Sequence, residues 1–225
     1  MNAGRRARAE VSERTRRSRA RRVGEVLAEE YPEAVCELDH RTPFELLTAT
    51  ILSAQCTDAR VNTVTPRLFA RYPDAASLAG ADPAELEQLI RPTGFYQTKA
   101  RNLMAMAGAI VERFEGEVPR SLEDLVTLAG VGRKTANVVR SVAFGEPGLP
   151  VDTHVGRLSR RLGLTTETDP VKVEADLCAA LAPGDWGAFS LRVILHGRRV
   201  CAARSPACGR CVLAPFCPSR GGEGG

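Results

Sequence analysis

A chain of 225 residues with 44% hydrophobic side chains is long enough for one large domain or two small ones. Aromatic residues make up only 5%, and abundant Ala and Leu favour packed helices over sheets. No run approaches the ~20 apolar residues that span a bilayer, no apolar stretch follows the basic start as a secretory signal requires, and a net charge of +4 says little until its distribution is seen.

That distribution is uneven. Residues 1–22 hold Arg5, Arg6, Arg8, Arg14, Arg16, Arg17, Arg19, Arg21 and Arg22 against Glu10 and Glu13. Such a block reads as a basic tail or a solvated helix face that holds polyanions by displacing counterions. Helix starts then follow. Thr42-Pro43-Phe44-Glu45 is a capping box with proline at the first helical position, Asp82-Pro83-Ala84-Glu85 repeats it, and Ser121 and Asp169-Pro170 give further starts. Gly94, Gly116, Gly163 and Gly197 sit where left-handed C-caps would end helices. Phe44 to Ser53 is almost wholly apolar and should be buried on most sides. A polar patch, Ala54 to Asp58, emerges from it. Helices follow at about 58–72, 75–79, 82–90 and 97–114, and the Pro92–Tyr96 loop presents an aromatic. Apolar residues recur at three and four and nowhere alternate, so the chain is all-α with about ten helices.

Leu128 to Ala136 reads LAGVGRKTA. Gly130 and Gly132 allow a tight turn around Val131, and a helix begins beyond it, so backbone N–H groups collect at a corner that binds phosphate. Lys134 stands one turn into that helix as a possible nucleophile. Asp152, eighteen positions later, N-caps the next helix, with further helices near 170–181 and 184–195. Of seven cysteines, Cys201, Cys208, Cys211 and Cys217 form C-x6-C-x2-C-x5-C. Thiolates at this spacing hold zinc or an iron–sulfur cluster, and one short pair with two wide spacings suits a cubane. Metal-ligating cysteines without an export signal point to a reducing, cytoplasmic setting. Arg204 and its neighbours among these cysteines make a phosphate-binding surface or neutralise an anionic cluster.

The chain resembles the endonuclease III family of bifunctional DNA glycosylases with AP-lyase activity, in the helix–hairpin–helix glycosylase superfamily. The residues that carry the resemblance are LLTATILSAQCTD from Leu46, TGFYQTKARN from Thr93, LAGVGRKTANVV from Leu128, VDTHVGRLSRRL from Val151, ILHGR from Ile194 and the four-cysteine tail. The resemblance implies a helix–hairpin–helix glycosylase fold. A six-helix barrel would span 36–146, and residues 23–35 with 147–225 would form a domain holding a [4Fe–4S] cluster, with DNA bound across the cleft. It implies a monomer acting in base excision repair on double-stranded DNA with damaged bases, of the thymine glycol type, or abasic sites. Lys134 would attack the sugar and hold it as a Schiff base, and Asp152 would manage protons and charge. Gly130, Val131, Gly132 and Arg133 would grip backbone phosphate. Gln55 would fill the gap left by a flipped nucleotide, and Phe95, where family members often carry an aliphatic residue, would wedge into the duplex. Asp58 and His154 are pocket candidates, Asp58 equally readable as a helix cap and His154 as a structural histidine. Two readings compete. The adenine-mismatch glycosylase lacks the lysine and carries a carboxylate where this chain has Ala49, and a non-catalytic DNA-binding module would use the hairpin and cluster for scanning or redox sensing.

Overall fold

The computed structural model describes residues 12–221. Arg5, Arg6 and Arg8 of the basic block, and the glycine-rich end beyond Gly221, lie outside the described residues. Among the described residues every regular element is helical and none is a strand. The chain divides into two compact units. The central unit holds Ala34–Pro150 and Pro183–Leu191. The terminal unit holds residues up to Glu33, Val151–Ala182 and the chain from Arg192 on.

The central unit is built around α2 (Pro43–Leu52), in which every residue from Phe44 to Leu52 is buried. Each fully buried Leu or Ile there contributes roughly 1.5–3 kcal/mol. Helices α3 (Asp58–Arg71), α6 (Tyr96–Phe114) and α8 (Arg133–Ala143) pack on it. Helix α4 (Ala75–Ala79) lies against α6, α5 (Pro83–Ile90) lies against α3 and α6, and α7 (Leu122–Leu125) lies against α8. The starts follow the sequence signals. Thr42, Asp82 and Ser121 each accept a hydrogen bond from the backbone three residues on. The box expected at Thr42 is only half formed, because Glu45 turns back to the Arg41 backbone N–H at 2.7 Å and to its guanidinium at 2.9 Å.

In the terminal unit α1 (Glu13–Glu30) buries Ala20, Val23 and Leu27 and packs on α10 (Pro170–Ala180), which also meets α9 (Thr153–Arg161). The tail boundary expected at residue 22 therefore falls inside a packed helix. Part of its charge is structural: Arg19 donates to the carbonyls of Leu162 and Gly163, both at 3.3 Å, and Arg16 lies 3.6 Å from Asp176. The unit boundary falls within α11 (Trp186–Arg199), so residues 183–191 cluster with the central unit rather than with the rest of 147–225. Helix α11 also runs straight through Gly197, expected to end it. A Cβ at Gly197 would stand 2.9 Å from His154 Nδ1, so this glycine serves close packing on α9 rather than a turn.

Candidate functional site

Between α7 and α8 the chain turns in the hairpin the sequence announced. The Val131 N–H donates to the Leu128 carbonyl at 3.1 Å, and both side chains are buried. Gly130 takes φ +76°, and a Cβ there would come within 3.1 Å of Asn102 Cβ. Gly132 is extended at φ −87°, so only the first glycine needs the left-handed region. Gly132 N-caps the eleven-residue α8 with no side-chain cap, and nothing would crowd a Cβ there. An uncapped helix start with open space in front receives an anion through backbone N–H groups and the helix dipole.

Arg133 and Lys134 are exposed on the first turn of α8. The chain leaves the Lys134 side chain open to solvent. Its neighbourhood is visible through Cys36. Burial pushes that half-buried thiol up, a hydrogen bond from the Leu38 backbone and the Lys134 charge pull it down, and Asp58 pushes it up. Lys134 and Asp58 thus act on one group from the same part of the central unit. Asp58 does not cap α3; Thr57 does, accepting the Arg60 N–H at 3.3 Å.

Two corners of the central unit project side chains outward. Past α2 the Cys56 N–H closes on the Ser53 carbonyl at 3.0 Å, leaving Gln55 exposed at φ +54°. Past a short turn (Arg91–Thr93) and Gly94, Phe95 stands at φ +48°, 67% exposed, as the N-cap of α6. Phe95 is therefore not a core residue of that helix. Left-handed backbone costs a residue with a Cβ about 1–2 kcal/mol, and two such residues, both exposed, at loop tips point to use rather than packing. A third, Glu115, simply ends α6. Behind both corners lies a residue the motif reading passed over. Buried Lys99 donates to the carbonyls of Leu52 and Thr93, each at 2.8 Å.

In the terminal unit Asp152 N-caps α9, its Oδ1 accepting the Val155 N–H at 2.8 Å. Its other oxygen has no hydrogen bond among the described residues. His154 is half-buried, 3.2 Å from an Arg157 nitrogen and close against Gly197. Burial lowers its pKa more than the Asp152 charge raises it, with Arg157 and Arg198 adding to the lowering. The ring lies between α9 and Gly197 of α11.

The four cysteines line one cavity, partly open to solvent. Leu158, Leu162, Val200 and Leu213 supply apolar wall. Among the described residues no three His, Cys, Asp or Glu side chains converge to hold a single metal ion. Burial pushes the Cys211 and Cys217 thiols up, so thiolates there require a compensating cation. Polar groups brace the rim, and sequence reading missed them. Arg157 donates to the Cys201 carbonyl at 2.9 Å. Arg161 lies 3.4 Å from Cys201 Sγ and donates to the Ala202 carbonyl at 2.7 Å. His196, 1% exposed, has Nε2 3.3 Å from Cys211 Sγ and Nδ1 3.1 Å from the Tyr31 hydroxyl. Burial lowers its pKa to about 4, so the ring is neutral. It can donate to the sulfur with one nitrogen and accept from Tyr31 with the other. The donor set, the cavity and the cationic rim fit an anionic multinuclear iron–sulfur group. Arg204 is exposed on the same loop.

Residues 48–183 match the family model described as HhH-GPD superfamily base excision DNA repair protein. A protein of Synechocystis sp. named endonuclease III is 56% identical over 206 residues, 91% of this chain and 94% of that one. Two solved structures are each 45% identical with a TM-score of 0.85, covering 90% of this chain and 95% of theirs. One is described as a non-covalent endonuclease III–DNA complex and the other as a trapped endonuclease III–DNA covalent intermediate. Among the described residues no helix is long and apolar enough to cross a membrane.

Proposed function

The chain belongs to the endonuclease III family, within the HhH-GPD superfamily of base excision DNA repair proteins, and we propose that it excises oxidised pyrimidines of the thymine glycol type from duplex DNA and then cuts the strand at the abasic site. The observation that carries this is the uncapped start of α8, with Lys134 on its first turn, beside a hairpin shaped to hold backbone phosphate.

A damaged base inside a duplex is out of reach and is flipped outward. The hairpin from Gly130 to Arg133 grips the backbone, while Gln55 fills the vacated place and Phe95 wedges into the stack. Neutral Lys134 Nζ attacks C1′, and the glycosidic bond breaks with its electron pair leaving on the base. Asp152 takes the ammonium proton and offsets the positive charge growing on the sugar. The sugar ring opens to a Lys134 Schiff base. This acidifies the C2′ proton, whose removal expels the 3′ phosphate by β-elimination. Because the protein leaves Lys134 exposed, the bound duplex is what excludes water from the reacting amine. Asp58 is a candidate for the pocket wall.

Cys201, Cys208, Cys211 and Cys217 would hold a [4Fe–4S] cluster, which when bound braces the basic C-terminal loop as a stiff surface for phosphate, Arg204 included. The pure protein is expected to show broad violet absorbance and equal amounts of iron and acid-labile sulfide. Cys208→Ser is expected to lose both; zinc in place of iron would overturn the assignment.

The functional test is a nicking panel of thymine glycol, 8-oxoguanine, uracil, A·G mismatch and abasic duplexes, each with and without borohydride. Cleavage and a covalent adduct on the thymine glycol and abasic substrates are expected. Release of adenine from the mismatch without an adduct would favour the adenine-mismatch reading, and binding without any nick would favour a scanning module. Phe95→Ala is expected to lower turnover of damaged duplex roughly ten-fold or more, in line with the ~1–3 kcal/mol of one base–aromatic stack. Unchanged binding and turnover would remove the wedge role.

A further inference from the structure

Lys99 is on the first turn of α6 and only 5% exposed, yet it makes no ion pair among the described residues. A buried ammonium without a carboxylate is disfavoured unless its protons are otherwise satisfied. Here two are taken by backbone carbonyls at 2.8 Å, Leu52 and Thr93. Leu52 is the last residue of α2, so its carbonyl is one of those a helix end leaves without an intrahelical partner, and the negative end of the helix favours a cation. Thr93 ends the turn before Gly94. Gln55 lies three residues beyond the first carbonyl and Phe95 two beyond the second. Burial lowers the pKa of this ammonium, and Cys56 of the Gln55 corner lies near it. A core needing only filled volume would place an apolar side chain here.

We propose that Lys99 is a positioning residue for insertion into DNA: by joining the carbonyls of Leu52 and Thr93 it holds the two left-handed corners in fixed register, so that Gln55 and Phe95 enter the duplex together. The inference rests on the roles proposed above for those two side chains. A plain structural cap would instead affect every activity alike, whichever side chains the corners carry.

A double-mutant cycle separates the two. Lys99→Met is compared in the wild-type chain and in the Gln55→Ala/Phe95→Ala chain. The readouts are kcat/KM on thymine glycol duplex and the fluorescence of 2-aminopurine placed opposite the lesion, which brightens when unstacked. Lys99→Met is expected to lower kcat/KM about ten-fold in the wild-type background but less than about two-fold in the double variant, and to abolish the brightening. An equal loss in both backgrounds, or brightening that persists, overturns the proposal. Thermal unfolding by circular dichroism checks each variant. If Lys99→Met does not fold, Lys99→Arg carries the cycle. Its longer group keeps the donors but displaces the corners, and the same background dependence is expected, with equal losses again decisive against it. Should the wild-type chain neither cleave this duplex nor brighten the probe, the functional reading fails, and the positioning role falls with it.

Discussion

Lys134→Ala is expected to abolish the borohydride-trapped protein–DNA adduct and to lower cleavage of thymine glycol and abasic duplexes by about 10⁴-fold or more, the scale on which removal of a covalent catalytic group is felt. The side chain is exposed, and alanine is the best helix former, so α8 and its core contacts through Ala136 and Val139 stay intact. Unfolding should therefore be nearly unchanged while chemistry is lost. Duplex binding should weaken far less than turnover, because phosphate is held by the hairpin backbone rather than by this amine. An adduct that still forms in Lys134→Ala would mean that another amine attacks the sugar, and the mechanism would have to be reassigned.

The second large effect is expected at Asp152, where one carboxylate serves two ends. Its Oδ1 caps α9 through the Val155 N–H at 2.8 Å. Asn caps a helix as well as Asp does, so Asp152→Asn preserves the cap and loses only the charge, worth about 0.3–1 kcal/mol at a helix start. Turnover, by contrast, should fall about 10²–10⁴-fold, because the amide can neither accept the Lys134 proton nor offset positive charge on the sugar. Asp152→Ala should lose turnover similarly but also cost about 0.5–2 kcal/mol of stability through the missing cap. Comparing denaturant unfolding with single-turnover kinetics for the two variants divides the roles. If Asp152→Asn keeps turnover within a few-fold of wild type, the carboxylate is a helix cap and nothing more.

These expectations start from features legible in the chain. Thr42, Asp82, Ser121 and Asp169 each announced a helix start that formed, and the apolar run of Phe44 to Leu52 became the buried α2. Such signals are readable because a cap or an apolar stripe involves residues three or four apart, within reach of local sequence. The hairpin from Leu128 to Gly132 was legible for the same reason, though only Gly130 needed its conformational freedom. Glycine's two uses look alike in a sequence. At Gly197 the cause was the ring of His154 on another helix, which no neighbouring residue reveals.

The helical class, the hairpin, the spacing of Lys134 from Asp152 and the cysteine pattern are thus all set by short-range chemistry along the chain. Which charges are structural and which are open depends on how distant helices pack. Arg19 joins α1 to the end of α9 across 143 positions, Arg157 braces the cysteine loop across 44, and Lys99 reaches Leu52 across 47. Lys134, no different from Lys99 in composition, is left in solvent. The physical reason is that burial and hydrogen-bond satisfaction of a long cationic side chain depend on groups brought near it by the packing of distant helices, and a one-dimensional pattern does not carry those distances.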